Sequence, residues 1–215
     1  MIIGIGGNKG SGKSTLADSL VKQHRYTVIT FAGPLKEALT HMLNVPYEVF
    51  EVQDLKTREF EVRRLDQANI ADFLEYLSDN YINIDYGLIN ALAKKFNGLE
   101  YRSYRQLMQL VGTELVRDNV SEQYWINCAR LNTKRANSSN IVFSDARFPN
   151  ERAYVKEING TTVLIKRGDE VNDGHSSEKL IGGVDDYDVV VYNDDSVSRL
   201  IHEFSVWYSL VKGRG

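Results

Sequence analysis

Eight residues near the start of the chain, Gly7-Asn8-Lys9-Gly10-Ser11-Gly12-Lys13-Ser14, fit the spacing G-x-x-x-x-G-K-[ST] in full. Each type has a task in binding a triphosphate. Glycines let main-chain amides curl inward around β-phosphate oxygens. A helix opening at the end of the motif aims its free N–H groups at the same anion. Lys13 can span the β- and γ-phosphates, the Ser14 hydroxyl suits Mg²⁺, and Thr15 can add a hydrogen bond to the α-phosphate. The plain alternative is a glycine-rich turn joining strand to helix. Context favours the phosphate loop, because an apolar run precedes it and a helical pattern follows. Gly7 through Thr15 are therefore the candidate nucleotide-binding residues. The motif says that a nucleoside triphosphate binds; it leaves open what receives the phosphate.

A second apolar run, Ile141-Val142-Phe143, ends in Ser144-Asp145. An acid at the carboxyl end of a parallel strand faces the ligand crevice. Asp145 either holds Mg²⁺ through a water or orients the acceptor. Arg147 is two residues on and either neutralises charge on a moving phosphoryl group or sits in a surface ion pair. A phosphorylated acceptor needs several more cations, for which Lys36, Arg58, Arg63, Arg64, Arg105 and Arg117 are candidates. Arg105, Gln109 and Gly112 stand at i, i+4 and i+7, opposite Leu107 and Leu110. That stripe meets either a ligand or solvent; Arg63-Arg64 reads better as a solvated face. Phe31, ending the second strand, packs either beside a base or in the core. His175 has no second metal ligand near it and reads as loop structure or a phosphate contact.

The elements that must position these groups alternate. Met1 to Ile5 is a strand buried on both faces, Ser14 to Gln23 a helix with Leu16 and Leu20 on one side, and Tyr26 to Phe31 a strand. Pro34 opens a helix that runs to Met42. From Pro46 to Gly98 strand signals are weak: Leu55 to Leu77 is charged and helical, Tyr81 to Asp85 a loop or short strand, Leu88 to Phe96 a helix. The spacing predicts one helix over Tyr104 to Val116, a helix capped by Ser121 and running through Leu131, and a polar surface turn over Asn132 to Asn140. Strands at 141–143, 161–165 and 188–192 alternate with helices at 151–157 and 197–210. The pattern is α/β, with five parallel strands and helices on both faces. Residues 1–45 and 99–215 are expected to form the core, 46–98 an insertion over the sheet's upper edge, and 167–183 a mobile closing segment.

Composition narrows the classes. In 215 residues, 42% are hydrophobic and 26% charged, which excludes a disordered or collagen-like chain. A formal charge of -3 argues against stable nucleic-acid binding. The single cysteine, Cys128, excludes an intrachain disulfide and a cysteine-built zinc site. No apolar run approaches a membrane span, and the opening residues lack the basic start of a signal peptide, so the expected location is cytoplasmic.

Several segments together resemble the deoxynucleoside monophosphate kinases of tailed bacteriophages, which belong to the P-loop nucleoside and nucleotide kinases. They are the phosphate loop, Phe31-Ala32-Gly33-Pro34-Leu35-Lys36, Arg105-Gln106-Leu107-Met108-Gln109 with Gly112-Thr113-Glu114-Leu115, and Tyr124-Trp125. Asp145-Ala146-Arg147 with Glu151, His175 with Glu178, and Val191-Tyr192-Asn193-Asp194 complete the set. The resemblance covers nearly the whole chain outside the insertion. It implies the P-loop NTPase three-layer fold and transfer from ATP, with Mg²⁺, to a deoxynucleoside monophosphate. Under it, Lys13 holds the donor phosphates, Ser14 and Asp145 belong with the metal, and Arg147 lies near the transferring group. Phe31, Lys36, Arg58, Arg105 and Gln109 face the acceptor, the 46–98 insertion lies over the acceptor site, and Asn193 and Asp194 lie where adenine is expected. It also suggests a homodimer in the cytoplasm of a host cell. Rival readings are a kinase of another small acceptor, such as dephospho-coenzyme A, an ATP-dependent accessory protein without catalysis, and a nucleic-acid end kinase.

Overall fold

The computed structural model describes residues 1–168 and 181–212. The chain divides into two compact units, Met1–Phe31 with Asn132–Gly215, and Ala32–Leu131. The second unit contains the 46–98 stretch whole. Of the expected closing segment, residues 169–180, with His175 and Glu178, lie outside the described residues.

The first unit holds a sheet of β1 (Ile2–Gly6), β2 (Thr27–Ile29), β5 (Ile141–Phe143), β6 (Thr161–Lys166) and β7 (Val189–Tyr192). The strands are all parallel, in the order β2-β5-β1-β6-β7. Both faces are covered, which explains why β1, β5 and β6 read as apolar runs without alternation. On one face, Ile3 and Ile5 join Leu16 and Leu20 of α1 (Lys13–His24) and Leu200 and Phe204 of α10 (Val197–Lys212) in one buried cluster. On the other, Gly4 lies under Val155 of α9 (Pro149–Glu157). There Phe31 stacks on Phe143 at 5.1 Å, and Tyr154 meets Phe143 edge-on at 5.8 Å. The expected three-layer α/β core, with five parallel strands and a helical insertion, is the fold observed.

The second unit is mostly helical. It contains α2 (Gly33–Leu43), α3 (Glu48–Glu51), α4 (Gln53–Thr57), β3 (Arg63–Leu65), α5 (Gln67–Asn80), α6 (Tyr86–Lys95), β4 (Leu99–Tyr101) and α7 (Tyr104–Gln109). α7 continues as a π-helix over Leu110–Arg117, and α8 (Tyr124–Ala136) starts in this unit and ends in the first. Phe50, Phe73, Leu74, Leu77, Leu92 and Trp125 anchor its core.

The elements depart from the sequence expectations in four places. The charged stretch expected to be helical over 55–77 is interrupted by β3, which pairs antiparallel with β4. α5 begins after Asp66, whose carboxylate accepts the Asn69 N–H at 2.8 Å while Asn69 Oδ1 accepts the Asp66 N–H at 3.1 Å. The helix expected over 104–116 changes winding at Leu110. Its N–H groups then reach back five residues, as Asp118 does to Thr113 O at 2.9 Å. That brings Gly112 to the buried side, against Leu35, so the expected Arg105–Gln109–Gly112 polar stripe ends at Gln109. Ser121 precedes α8 by a turn, its Oγ accepting the Gln123 N–H, and α8 itself runs on to Ala136 where a surface turn was expected.

Candidate functional site

Five parallel strands end at one edge of the sheet, and the chain leaving β1, β2, β5 and β7 carries candidate residues. Register places them. Gly4 pairs with Phe143 and Gly6 with Leu164, so β5 and β6 end on either side of β1. The Ala146 N–H donates to Ile5 O at 3.0 Å, holding Asp145-Ala146-Arg147 beside the start of the loop. The Phe31 N–H donates to Asp145 Oδ1 at 2.9 Å, tying the end of β2 to the same acid. Beyond β6, Arg167 Nη1 donates to Gly10 O at 3.2 Å.

The loop is built on backbone that side chains disfavour. Gly7, Gly10 and Gly12 have φ of 141°, 77° and 106°. A Cβ at Gly12 would lie 2.8 Å from both Asn193 Nδ2 and Leu200 Cδ2. Lys13 opens α1 and is buried; its Nζ donates to Gly7 O at 2.8 Å and to Asn8 O at 2.6 Å. The ammonium thus sits inside the curve of the loop. Asn8 O also accepts the Ser11 N–H at 3.2 Å. Lys9 and Ser14 are exposed, and Asn8 and Thr15 half-buried.

Asn193 and Asp194 were expected near adenine. Asn193 is 7% exposed, and its Nδ2 donates to Ser11 O at 2.8 Å while its own N–H donates to Lys166 O at 2.7 Å. Its amide is a strut under the phosphate loop. Asp194 Oδ1 accepts the Gly168 N–H at 2.9 Å, pinning the end of β7 to the end of β6. Phe31 is 2% exposed and stacked in the core, so its ring has no face left for a base. The rings of Phe143 and Tyr154 cover it.

The Asp145–Arg147 turn is clamped from behind. Glu151 Oε2 accepts the N–H groups of Arg147 and Phe148, and Arg152 Nη1 donates to Arg147 O. The Tyr187 hydroxyl donates to Ile181 O at 2.9 Å with Ala146 O at 3.4 Å, and the Arg152 guanidinium lies 4.9 Å from the Tyr187 ring centre. Burial pushes the Tyr187 hydroxyl up to about 12, against the opposing charge of Arg152, so it stays a donor at any ordinary pH. Arg147 Nε is buried with no hydrogen-bond partner among the described residues. Arg152, Tyr187, Glu151 and Arg167 carry no assigned role in the sequence reading. Only Glu151 left a trace there, as the acid that follows Asp145-Ala146-Arg147 in the family resemblance.

The remaining candidates lie in the helical unit. Lys36 is 9% exposed and its Nζ reaches Glu51 Oε1 at 2.6 Å, so this ammonium ties α2 to α3. Arg58 is exposed at the end of α4; Arg105 and Gln109 are half-buried on α7. Arg63 lies over the Phe60 ring at 4.5 Å, and Arg64 pairs with Glu100 across the β3–β4 ladder at 2.6 Å. Both are spent on the unit's own surface, as the solvated reading had them.

For Mg²⁺, the chemistry of the donors fits. Ser14 offers a hydroxyl and Asp145 a carboxylate, both hard oxygen donors, and this ion ordinarily keeps water and takes the rest of its ligands from phosphate. Among the described residues no group of three or more His, Cys, Asp and Glu forms a metal cage. No helix among them is long and apolar enough to cross a membrane.

The family model described as "Deoxynucleotide monophosphate kinase" matches residues 62–204. That match begins after the phosphate loop, so loop and match are separate observations. The chain is 24% identical to the deoxynucleotide monophosphate kinase of Enterobacteria phage T4, over 93% of this chain and 95% of that one. It is 26% identical to a putative deoxynucleotide monophosphate kinase of Acanthamoeba polyphaga mimivirus, over 93% and 91%. To the deoxynucleoside-5'-monophosphate kinase of Escherichia phage T5 it is 28% identical, over 74% and 73%.

Proposed function

The chain belongs to the deoxynucleotide monophosphate kinase family and is a P-loop kinase, and from that premise we propose that it moves the γ-phosphoryl group of ATP to a deoxynucleoside 5'-monophosphate. One observation carries the reading: the Asp145-Ala146-Arg147 turn is bonded to the strand that launches the phosphate loop, through the Ala146 N–H and Ile5 O at 3.0 Å. An acid and an arginine beside a triphosphate cradle are what in-line transfer between two phosphates requires.

In the proposed reaction a phosphate oxygen of the monophosphate attacks the γ-phosphorus. The bond from that phosphorus to the β–γ bridging oxygen breaks, and ADP leaves. The attacking oxygen is already ionised, so no general base is called for. Lys13 exchanges the Gly7 and Asn8 carbonyls for phosphate oxygens and offsets their charge. Arg147, half-buried on the same turn, supplies the guanidinium charge for the moving group. The Ser14 hydroxyl and the Asp145 carboxylate would hold Mg²⁺ together with the nucleotide, and the ion would neutralise further phosphate charge. Arg58, Arg105 and Gln109 of the helical unit take the acceptor, while Lys36 is engaged with Glu51 and organises α2 and α3.

The test is a diphosphate-formation assay with ATP and each common ribo- and deoxyribonucleoside monophosphate. Deoxyribonucleoside diphosphates are the expected products. Phosphorylation of dephospho-coenzyme A with none of the deoxynucleotides turned over would overthrow the reading.

A further inference from the structure

Both main-chain polar groups of Arg147 are gripped by neighbouring charged side chains of α9. Glu151 Oε2 accepts the Arg147 N–H at 2.8 Å and the Phe148 N–H at 2.9 Å. Arg152 Nη1 donates to Arg147 O at 2.6 Å and to Ile181 O at 2.8 Å. These are buried charges, with Glu151 3% and Arg152 6% exposed. Apolar side chains of similar size would pack α9 on the sheet without the cost of desolvating ions. What apolar side chains cannot do is fix a peptide group on each side of one residue. The Arg152 guanidinium is itself held by the Tyr187 ring 4.9 Å away, and the Tyr187 hydroxyl bonds to the same Ile181 O at 2.9 Å. The grip is therefore rigid at its base.

We propose that Arg152, with Glu151 as its counterpart, is a positioning residue that sets where Arg147 stands for phosphoryl transfer. This rests on reading Arg147 as the cation at the transferring group. Arg152 touches no reacting atom; it acts through the Arg147 carbonyl. A misplacement of about 1 Å at such a group is worth up to roughly 100-fold in rate.

A double-mutant cycle separates positioning from plain structural support. Arg152→Met keeps the stem and removes the donors. It should lower kcat by roughly tenfold or more with the KM for ATP within about threefold, and Arg152→Lys, which keeps a charged donor, should recover part of the loss. In an Arg147→Ala background, Arg152→Met should cost less than about twofold further, because there is nothing left to position. An equal loss in both backgrounds overturns the proposal. If Arg147→Ala alone leaves kcat unchanged, the role given to Arg147 has failed instead, and the single variant shows it. Should Arg152→Met not fold, judged by circular dichroism and melting, Arg152→Lys and Glu151→Gln carry the same cycle to the same criterion.

Discussion

Asn193 offers the most discriminating perturbation. Its buried Nδ2 donates to Ser11 O at 2.8 Å, within the loop, and its side chain fills the space that Gly12 leaves open. Asn193→Ala removes the donor and strands a carbonyl, at a cost of about 1–3 kcal/mol. Taking about 2 kcal/mol, a domain of 150–250 residues loses roughly 4–8 °C of Tm. The triphosphate must then rebuild the cradle on binding, and the same energy taken from affinity is about thirtyfold in Kd. Calorimetric titration with magnesium ATP and with magnesium tripolyphosphate distinguishes the two roles considered for this residue. A strut weakens both ligands by the same factor, because it acts on the loop. A base contact weakens ATP alone. Asn193→Asp should be worse than Asn193→Ala for both, since it faces a carboxylate to the Ser11 carbonyl. Unchanged tripolyphosphate binding in Asn193→Ala, or a Tm within a degree of the parent, would refute the strut.

Other outcomes follow from the same geometry. Lys13→Ala should lower kcat by roughly 100–1,000-fold in the diphosphate assay, with a folded protein by circular dichroism; near-normal turnover would remove Lys13 from the reaction. Gly112→Ala places a Cβ 2.9 Å from Leu35 Cδ2, the end of a flexible side chain. Leu35 can turn its end away and alanine favours a helix over glycine by about 1 kcal/mol, so Tm should stay within a few degrees of the parent, and a large fall would mean that Leu35 is held rigidly against the π-helix. Asp188 accepts from Thr162 N and Oγ1 at 2.8 and 2.7 Å and from Lys156 at 3.2 Å. Burial raises its pKa, but these donors outweigh it and hold the carboxyl below its ordinary value. Its stabilisation is thus full above the unfolded value of about 3.9 and is lost as pH falls through the lower folded one. The Tm difference between the parent chain and Asp188→Asn should shrink on acidification below about pH 4, and a gap constant from pH 3 to 7 would refute the assignment.

The parts of the site that are local in the chain could be read from it. Gly7 to Ser14 is a contiguous pattern, and Ile141 to Asp145 shows its acid at a strand end without further help. The apolar runs of β1, β5 and β6 gave a parallel sheet because only double burial accounts for them. The ladder of β3 with β4 was hidden: each strand has three residues, with one buried residue in each, Leu65 and Tyr101, and arginines or a glutamate outward. The π winding was hidden too, because Leu107, Val111 and Leu115 also satisfy an α-helical spacing and the extra residue per turn shows only in Gly112 and Val116 being buried. Asn193 and Arg152 owe their roles to contacts with Ser11 and Ile181, far along the chain. The resemblance set Asn193 and Asp194 near adenine, and nothing in the sequence marked Arg152.

β1 pairs with β5 and β6, which start at Ile141 and Thr161, so its ladder partners are made only after the helical unit. A chain leaving the ribosome therefore carries Ile2–Gly6 with both edges bare while the whole helical unit is being synthesised. Two open edges on an apolar strand are a template for pairing with other nascent chains. Prematurely stopped products that end before Ile141 should accordingly be found in inclusion bodies, and slow release or a holding chaperone should raise the yield of the full-length enzyme.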